Sequence, residues 1–249
     1  YGDWRNNIIT VSDDVDKTYE FESIQNVLNQ LSDDISEHTP NFNVKKILTD
    51  SYVQQTSAGG NRYPEVNKVI TDAIEVGGLI VNYFGHGGED GLAHEYIYTQ
   101  NNARNLNNNN RFPLFITVTC EFTKFDYPLR ITAGELTYWN REGGAVSLIT
   151  TTRAISVSLG VEYNIIMTPE LLGYNTNEPI VPAEALRITK NQLGDQFRRV
   201  VFYIGDPAME LAKAEPNVEL THINDIEVGH ADEPVIQALG KVKLSGEVN

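Results

Sequence analysis

The chain has 249 residues, 41% of them hydrophobic, which is enough to form one large folded domain with a substantial core. Its 34 acidic and 19 basic residues give a net charge of −15. We expect no nucleic-acid partner, because binding to a phosphate backbone requires clustered Lys and Arg. The only cysteine, Cys120, excludes an internal disulfide framework.

The amino terminus and the distribution of apolar residues show no targeting signal. No apolar stretch approaches the roughly 18 residues of a membrane-spanning helix. The opening Tyr1-Gly-Asp-Trp4 has neither a Met start nor a signal-like apolar region. We therefore expect a fragment or a processed product, and the sequence does not indicate its destination.

Residues 1–212 alternate short β-branched runs with segments of helical periodicity, which predicts βα units around a mostly parallel sheet. Several of the runs are apolar on both faces, as is typical of strands covered by helices on two sides. The predicted strands are 7–12, 44–48, 79–84, 114–119, 145–150 and 200–204. The predicted helices are 20–36, 64–76, 131–141, 161–172 and 183–193.

A polar loop is predicted between the third and fourth of these strands. Residues 101–110 contain seven asparagines in ten positions, a composition typical of a connection rather than a helix. This loop would be either a solvated connection or a substrate-facing flap.

The composition changes after Ala212. Residues 216–227 and 234–248 alternate apolar and polar residues, with turn residues between the two segments. We predict that 213–249 are the first strands of a separate, truncated β domain, following an α/β domain at 1–212.

Two chemically reactive residues follow apolar runs. His86 follows the run at 78–84, and Cys120 follows the run at 112–119. If the two strands are neighbours in a parallel sheet, both side chains lie at its carboxyl edge, where open α/β sheets bind their ligands. A thiol beside an imidazole forms a nucleophile and its base. Alternatively, Cys120 is a small buried hydrophobic residue and His86 a hydrogen-bonded core group.

Glycines flank His86 on both sides, so the backbone can turn sharply and approach a ligand closely. The N–H groups of Gly87 and Cys120 are the natural donors to a developing oxyanion. Metal binding is a weaker hypothesis, because one Cys and scattered His residues lack a zinc-binding spacing. Glu89 and Asp90 could at most help to hold a hard cation through carboxylate oxygens.

These motifs resemble a known family. The segment Asn82-Tyr-Phe-Gly-His-Gly-Gly-Glu89 resembles the N-Y-x-G-H-G-x-E histidine segment of the gingipain family, cysteine peptidases with a caspase-like fold. Cys120 falls where that family has its nucleophile, and Phe202-Tyr-Ile-Gly-Asp-Pro-Ala208 resembles its closing strand and G-D-P turn. The opening Gly2-Asp-Trp-Arg5 resembles the start of its catalytic subdomain. The resemblance covers nearly all of residues 1–212.

Within the family, residues 85–92 and 119–126 are most similar to the sortase of the bacterial type IX secretion system. This resemblance implies an enzyme on the cell surface, at the outer membrane. It would remove a C-terminal β-domain signal from secreted cargo proteins and transfer the new carboxyl terminus to an amine on lipopolysaccharide. The implied partners are the cargo proteins, PorV-like outer-membrane components of the system and the lipopolysaccharide acceptor. No cofactor is required, although a structural calcium ion would be compatible.

Gingipain-like sites often include an acid that orients the histidine. The best-placed candidates follow the first predicted strand, and we select Asp14 among Asp13, Asp14 and Asp16. Each of these could also be a turn residue or an acid at a helix N-terminus. Glu89 and Asp90 are local alternatives.

His94 is not expected to be the base, because it lies away from the strand end; a structural role is expected instead. Thr150-Thr-Thr-Arg153 follows a strand at a position that lines the substrate pocket in caspase-like sheets. The threonines would form a small polar subsite, or they are simply a Thr-rich strand end. Arg153 could pair with a nearby acid.

Two other functions are open. A plain extracellular endopeptidase of this family would use the same Cys120 and His86 but digest generic peptides. A non-enzymatic adhesion or assembly module would keep the fold without turnover. An activated thiolate, which reacts well below the pH of about 8.5 typical of a free cysteine, would argue against the second alternative.

Overall fold

A six-stranded sheet forms the centre of the first part of the chain in the computed structural model. The strands are β1 (Asn7–Ser12), β2 (Asn43–Leu48), β3 (Ile80–Phe84), β4 (Leu114–Thr117), β5 (Ser147–Thr151) and β6 (Val201–Ile204). Their spatial order is β6-β5-β4-β3-β1-β2, and all pairs are parallel except β5 with β6. This arrangement confirms the predicted α/β class with a mostly parallel sheet.

The structure describes residues 2–18, 21–175, 180–194, 199–214, 218–229, 236 and 238–248. The chain divides into two compact units, residues 1–212 and 213–249. Within the described residues, no helix combines the length and apolar character needed to cross a membrane.

Helices cover both faces of the sheet because successive strand residues point to opposite sides. Along β1, Ile8 belongs to one buried apolar cluster and Ile9 to the other. The helices are α1 (Asn26–His38), α2 (Pro64–Val76), α3 (Gln100–Asn105), α4 (Ala133–Trp139), α5 (Val157–Leu172) and α6 (Pro182–Gln192). Buried residues of α1, α5 and α6 contribute to the first cluster, and those of α2, α3 and α4 to the second.

The first predicted helix differs at its start, because Phe21–Gln25 forms a π-helical turn that runs into α1. Its predicted first residue, Glu20, lies outside the described residues.

The predicted polar loop at 101–110 is wrong in its first half, which is α3. Thr99 caps this helix through the N–H of Asn102, whose side chain accepts from the N–H of Thr99 in return. Helix capping therefore uses one of the asparagines that composition assigned to a loop.

Short strands were not predicted in the connections. Residues 55–57 and 60–62 form a hairpin, and Gly87–Gly88, Gly91–Leu92 and Tyr98–Thr99 form a small antiparallel sheet directly after β3. In the second unit, β7 (Val218–Ile223) pairs with β8 (Ile226–Glu227) and β9 (Leu244–Val248). The predicted segment starts at 216 and 234 lie outside the described residues.

Candidate active site

The register of β3 and β4 aligns the segments that carry His86 and Cys120. Tyr83 of β3 pairs with Thr117 of β4, so each candidate follows the last paired residue of its strand by three positions. The hydroxyl of Thr119 donates a 2.6 Å hydrogen bond to the carbonyl of Gly85. The residues immediately before the imidazole and the thiol are therefore in direct contact at the carboxyl edge of the sheet. Both His86 and Cys120 are half-buried.

Hydrogen bonds from two sides hold the main chain of His86. Its N–H donates to Oδ2 of the buried Asp13 over 2.6 Å, and its carbonyl accepts from the hydroxyl of Tyr83. Gly85 fits next to Asp13 and Tyr83 only because it lacks a side chain. A Cβ there would lie 2.7 Å from the Tyr83 hydroxyl and would also collide with Asp13.

Gly87, the predicted oxyanion donor, lies against the Cys120 segment. A Cβ on Gly87 would come within 2.8 Å of Oγ1 of Thr119, so the absence of a side chain permits this close approach.

The thiol of Cys120 donates to the carbonyl of Ile155 over 3.7 Å. The next residue, Glu121, has a left-handed backbone with φ of 51°. Such conformations are costly for non-glycine residues and cluster at functional sites.

A buried threonine network supports the turn at Cys120. Thr151 donates its hydroxyl hydrogen bond to the carbonyl of Thr119. Thr150 lies 3.0 Å from Thr117 and 2.8 Å from Thr123, hydroxyl to hydroxyl.

Of the two alternatives for Thr150-Thr-Thr-Arg153, the structure therefore favours a Thr-rich strand end over a polar subsite for the first two residues. Thr150 and Thr151 are fully buried and hydrogen-bonded within the protein, so they cannot contact a substrate. Arg153 forms an ion pair with Asp126, with a closest distance of 2.6 Å.

We predict that Thr151→Val lowers the free energy of unfolding by about 1–2 kcal/mol, because a buried carbonyl loses its donor while the side-chain shape is kept. Denaturant unfolding measures the effect. Thr152→Val is the matched control, since the Thr152 side chain makes no hydrogen bond in the described structure. Equal stability of the two variants would contradict the supporting role of Thr151.

Three buried carboxylates lie together behind the His86 segment. Ligand oxygens of Asp13, Asp14 and Glu95 lie within 4.8 Å of one another. Burial raises the pKa of Asp13 well above its usual value, and the hydrogen bond from His86 N–H partly offsets that rise. Burial, with the nearby Asp14 carboxylate, raises the pKa of Glu95 to about 7.

The choice of Asp14 as the acid that orients the His86 ring stays a prediction. Oδ2 of Asp14 accepts from Tyr63 at 3.2 Å and from Gln54 at 3.4 Å. Asp13, from the same segment, accepts a hydrogen bond from the main-chain N–H of His86. Sequence proximity could not separate these neighbours, because adjacent residues that follow a strand point in different directions.

The acidic cluster, rather than Glu89 and Asp90, offers the donors that a hard cation prefers. Glu89 is paired with Lys124 at 3.2 Å and with Arg130 at 3.2 Å, and Arg130 also pairs with Asp90. The side chains of Lys124 and Arg130 therefore already balance the negative charges of Glu89 and Asp90. In the cluster, Oε2 of Glu95 is buried and has no hydrogen-bond partner among the described residues, and an all-oxygen donor set suits calcium.

A cavity of about 340 Å³ opens beside Gly87 and the residue after Cys120. Charged and aromatic side chains surround it, so a polar ligand fits its chemistry better than an apolar one. Its walls include Gly87, Glu89, Asp90, His94, Glu121 and Arg130.

His94 lies beside the candidate base. Its ring stacks on that of His86 with centroids 5.0 Å apart and an angle of 13° between the planes. Its Nδ1 lies 3.1 Å from Oδ2 of Asp16. Sequence analysis placed His94 away from the strand end. The glycine-rich hairpin at 87–92 was the available signal that the chain turns back at this point.

Comparisons with known proteins agree with this architecture. The model of peptidase family C25 matches residues 1–212. The Arg-specific cysteine proteinase gingipain R has a similar structure, with a TM-score of 0.60, 17% identity and coverage of 88% of this chain and 51% of that chain.

Two further structures share the fold. The complex of Porphyromonas gingivalis RgpB pro- and mature domains has a TM-score of 0.57 at 16% identity, with 88% and 52% of the two chains covered. A structure described as a protease has a TM-score of 0.51 at 16% identity, with 89% and 51% covered. This chain thus spans about half the length of these structural relatives. No curated protein sequence matches it significantly. Because the family model covers most of the sequence, the chain belongs to peptidase family C25, the gingipain family of cysteine peptidases.

Proposed function

We propose that this chain carries the catalytic centre of a sortase of the type IX secretion system, similar to PorU. The enzyme would remove the C-terminal signal domain of secreted cargo proteins and attach the cargo to the cell surface. Family membership supports the cysteine peptidase chemistry. The finer assignment rests on the similarity of residues 85–92 and 119–126 to that sortase.

The observation that best supports a Cys120–His86 dyad is the contact between the two strand ends. The hydrogen bond from Thr119 to Gly85 joins the residues that precede the thiol and the imidazole. The left-handed backbone at Glu121 adds a strained turn directly after the proposed nucleophile.

The proposed reaction has two steps. Sγ of Cys120 attacks the scissile carbonyl carbon while the thiol proton passes to His86, and the N–H groups of Gly87 and Cys120 stabilise the oxyanion. The C–N bond then breaks, His86 protonates the departing amine, and a thioester remains on Cys120.

An amine on lipopolysaccharide attacks this thioester, forms an amide with the cargo carboxyl terminus and releases the thiol. Water attacking in its place gives simple hydrolysis. The outcome depends on which acceptor is held within reach, because correct positioning lowers the barrier by several kcal/mol.

The proposed reaction requires no cofactor. If the protein uses a structural calcium ion, the residues that would hold it are Asp13, Asp14 and Glu95, and the ion would neutralise their like charges. The proposed partners are cargo proteins, PorV-like outer-membrane components and lipopolysaccharide. The proposed location is the outer face of the outer membrane.

The choice of substrate tests this function. Full-length protein is incubated with a folded cargo that carries its C-terminal signal domain and, separately, with a mixture of generic peptides. We expect cleavage at the cargo junction and no digestion of the peptides. Added lipopolysaccharide should convert part of the cleaved cargo to a heavier conjugate by mass spectrometry. Digestion of the generic peptides without junction-specific cleavage would identify a plain endopeptidase and refute the sortase proposal.

A further inference from the structure

Ion pairs join the hairpin that follows His86 to the loop that follows Cys120. Nζ of Lys124 donates to Oε1 of Glu89 over 3.2 Å, and Nη1 of Arg130 lies 3.2 Å from Oε2 of the same carboxylate. Glu89 lies in the turn of the glycine-rich hairpin, whereas both cations lie in the loop between Cys120 and α4. One carboxylate therefore connects the two chain segments that carry the candidate base and the candidate nucleophile.

This connection is largely shielded from water. The side chain of Glu89 is 15% exposed and that of Lys124 is 24% exposed, so solvent and salt screen their attraction less than that of a surface pair. The main chain adds a second contact, because the N–H of Ala133, the first residue of α4, donates to the carbonyl of Glu89 over 2.8 Å. The hairpin is therefore held against the end of the loop by both its backbone and a side chain.

The two connected segments supply the proposed oxyanion donors, the N–H groups of Gly87 and Cys120. Residues of both segments line the cavity of about 340 Å³ beside the candidate site. Each donor stabilises an oxyanion only at about 2.7–3.1 Å, so the separation between the two donors has to be fixed. The hydrogen bond from Thr119 to Gly85 fixes it on the side of the strand ends. The ion pairs of Glu89 join the segments beyond the donors.

We propose that Glu89 is a positioning residue that, through Lys124 and Arg130, sets the separation of the two oxyanion donors. This inference rests on one part of the proposed function, in which Cys120 attacks a carbonyl carbon and the N–H groups of Gly87 and Cys120 stabilise the oxyanion. Glu89 acts through the main chain of the hairpin. Its effect is therefore on the transition state, in which the negative oxygen forms, and not on the reactivity of the sulfur.

Two substitutions loosen the connection without leaving a charge unpaired. Glu89→Gln keeps the shape of the side chain, and each cation retains one other carboxylate. Lys124 stays paired with Glu121. Arg130 stays paired with Asp90. The second variant, Lys124→Met, keeps an unbranched side chain of similar length and removes only the charge.

An ion pair outside the candidate site provides the matched control. Nζ of Lys46, in β2, lies 2.5 Å from Oδ1 of Asp33, in α1. The Lys46 side chain is 28% exposed, close to the 24% of Lys124. Lys46→Met and Asp33→Asn therefore remove the same chemical groups where they join two elements that carry no oxyanion donor.

Two reagents that react with the same sulfur separate the oxyanion from the nucleophile. The ester p-nitrophenyl acetate acylates Cys120: Sγ bonds to the carbonyl carbon while the thiol proton passes to His86, a tetrahedral oxyanion forms, and the C–O bond to p-nitrophenolate breaks. Iodoacetamide alkylates the same sulfur by displacing iodide, and no oxyanion forms. Cys120→Ala gives the background for both reagents, because the chain has no second cysteine.

Glu89→Gln and Lys124→Met should each slow acylation about tenfold and leave the alkylation rate unchanged. The double variant should be no slower than Glu89→Gln alone, because both substitutions break the same contact. Lys46→Met and Asp33→Asn should match the wild type with both reagents. Unchanged acylation, or equal slowing of acylation and alkylation, would overturn the positioning role of Glu89.

Cargo cleavage distinguishes this inference from the proposed function. In Glu89→Gln we expect kcat for cargo cleavage to fall about tenfold at unchanged KM, because the donors act in the transition state rather than in cargo binding. Selective loss of acylation in a protein whose wild type does not cleave cargo would support the inference and count against the proposed function alone. Cleavage of cargo by Glu89→Gln at the kcat of the wild type would overturn the inference and leave the proposed function intact.

Discussion

Cys120→Ala is expected to reduce cargo cleavage by at least about a thousandfold, because alanine cannot form the thioester. Cys120 is the only cysteine in the chain, so no neighbouring thiol can replace it. Its thiol is small and half-buried, so the substitution should change the stability little. Single-turnover cleavage, followed by gel electrophoresis with the enzyme in excess, gives the rate.

Two controls accompany this variant. Cys120→Ser keeps a hydroxyl at the same position but is a much poorer nucleophile, so its rate should stay near that of Cys120→Ala. An electrophile such as iodoacetamide should label the wild type at Cys120 and block its cleavage of cargo, and it should leave Cys120→Ala unlabelled. Undiminished cleavage by Cys120→Ala would exclude the proposed mechanism, as would cleavage that survives complete labelling of Cys120.

The sheet was predictable because several of its strands, such as β3 and β4, are apolar runs buried on both faces. Each predicted boundary lies within about two residues of the observed strand, as comparison of 79–84 with Ile80–Phe84 illustrates. The same apolar runs predict where His86 and Cys120 lie, since the carboxyl ends of two neighbouring parallel strands meet at one edge of the sheet. Strand order and register depend on contacts distant in sequence, so they were not predicted.

Sequence reasoning failed where a residue type has two physical roles. Asn favours loops by composition, yet Asn102 completes a helix cap. Thr151, which was a candidate for a polar subsite, is buried and donates a hydrogen bond to the residue before Cys120. Similarly, Asp13 and Asp14 are equivalent by position, and only the three-dimensional structure shows that Asp13 accepts from the main chain of His86 while Asp14 accepts from Tyr63. The stack of His94 on His86 depends on a hairpin geometry that the glycines permit but do not dictate.

Glu95→Gln is expected to stabilise the protein above neutral pH by about 2 kcal/mol and to raise Tm by about 5 °C. The pKa of Glu95 is about 7 in the folded protein and near the ordinary 4.5 when unfolded. Between these values the folded state binds more protons, so the contribution of Glu95 to stability is complete below about pH 4.5 and is lost as the pH rises through about 7. Glutamine mimics the neutral acid at every pH. The variant should therefore match the wild type near pH 4.5 and exceed it near pH 8.

Thermal unfolding across this pH range, with and without calcium, measures the effect and tests its cause. Glu37→Gln, a change at an exposed position in α1, is the control and should show no such pH-dependent gain. The buried cluster can relieve its like charges by holding a proton or by binding a cation, and only the cation responds to added metal. Loss of the Glu95→Gln advantage on adding calcium would show that the ion replaces the proton. No difference between Glu95→Gln and Glu37→Gln at any pH would mean that Glu95 is not under electrostatic strain.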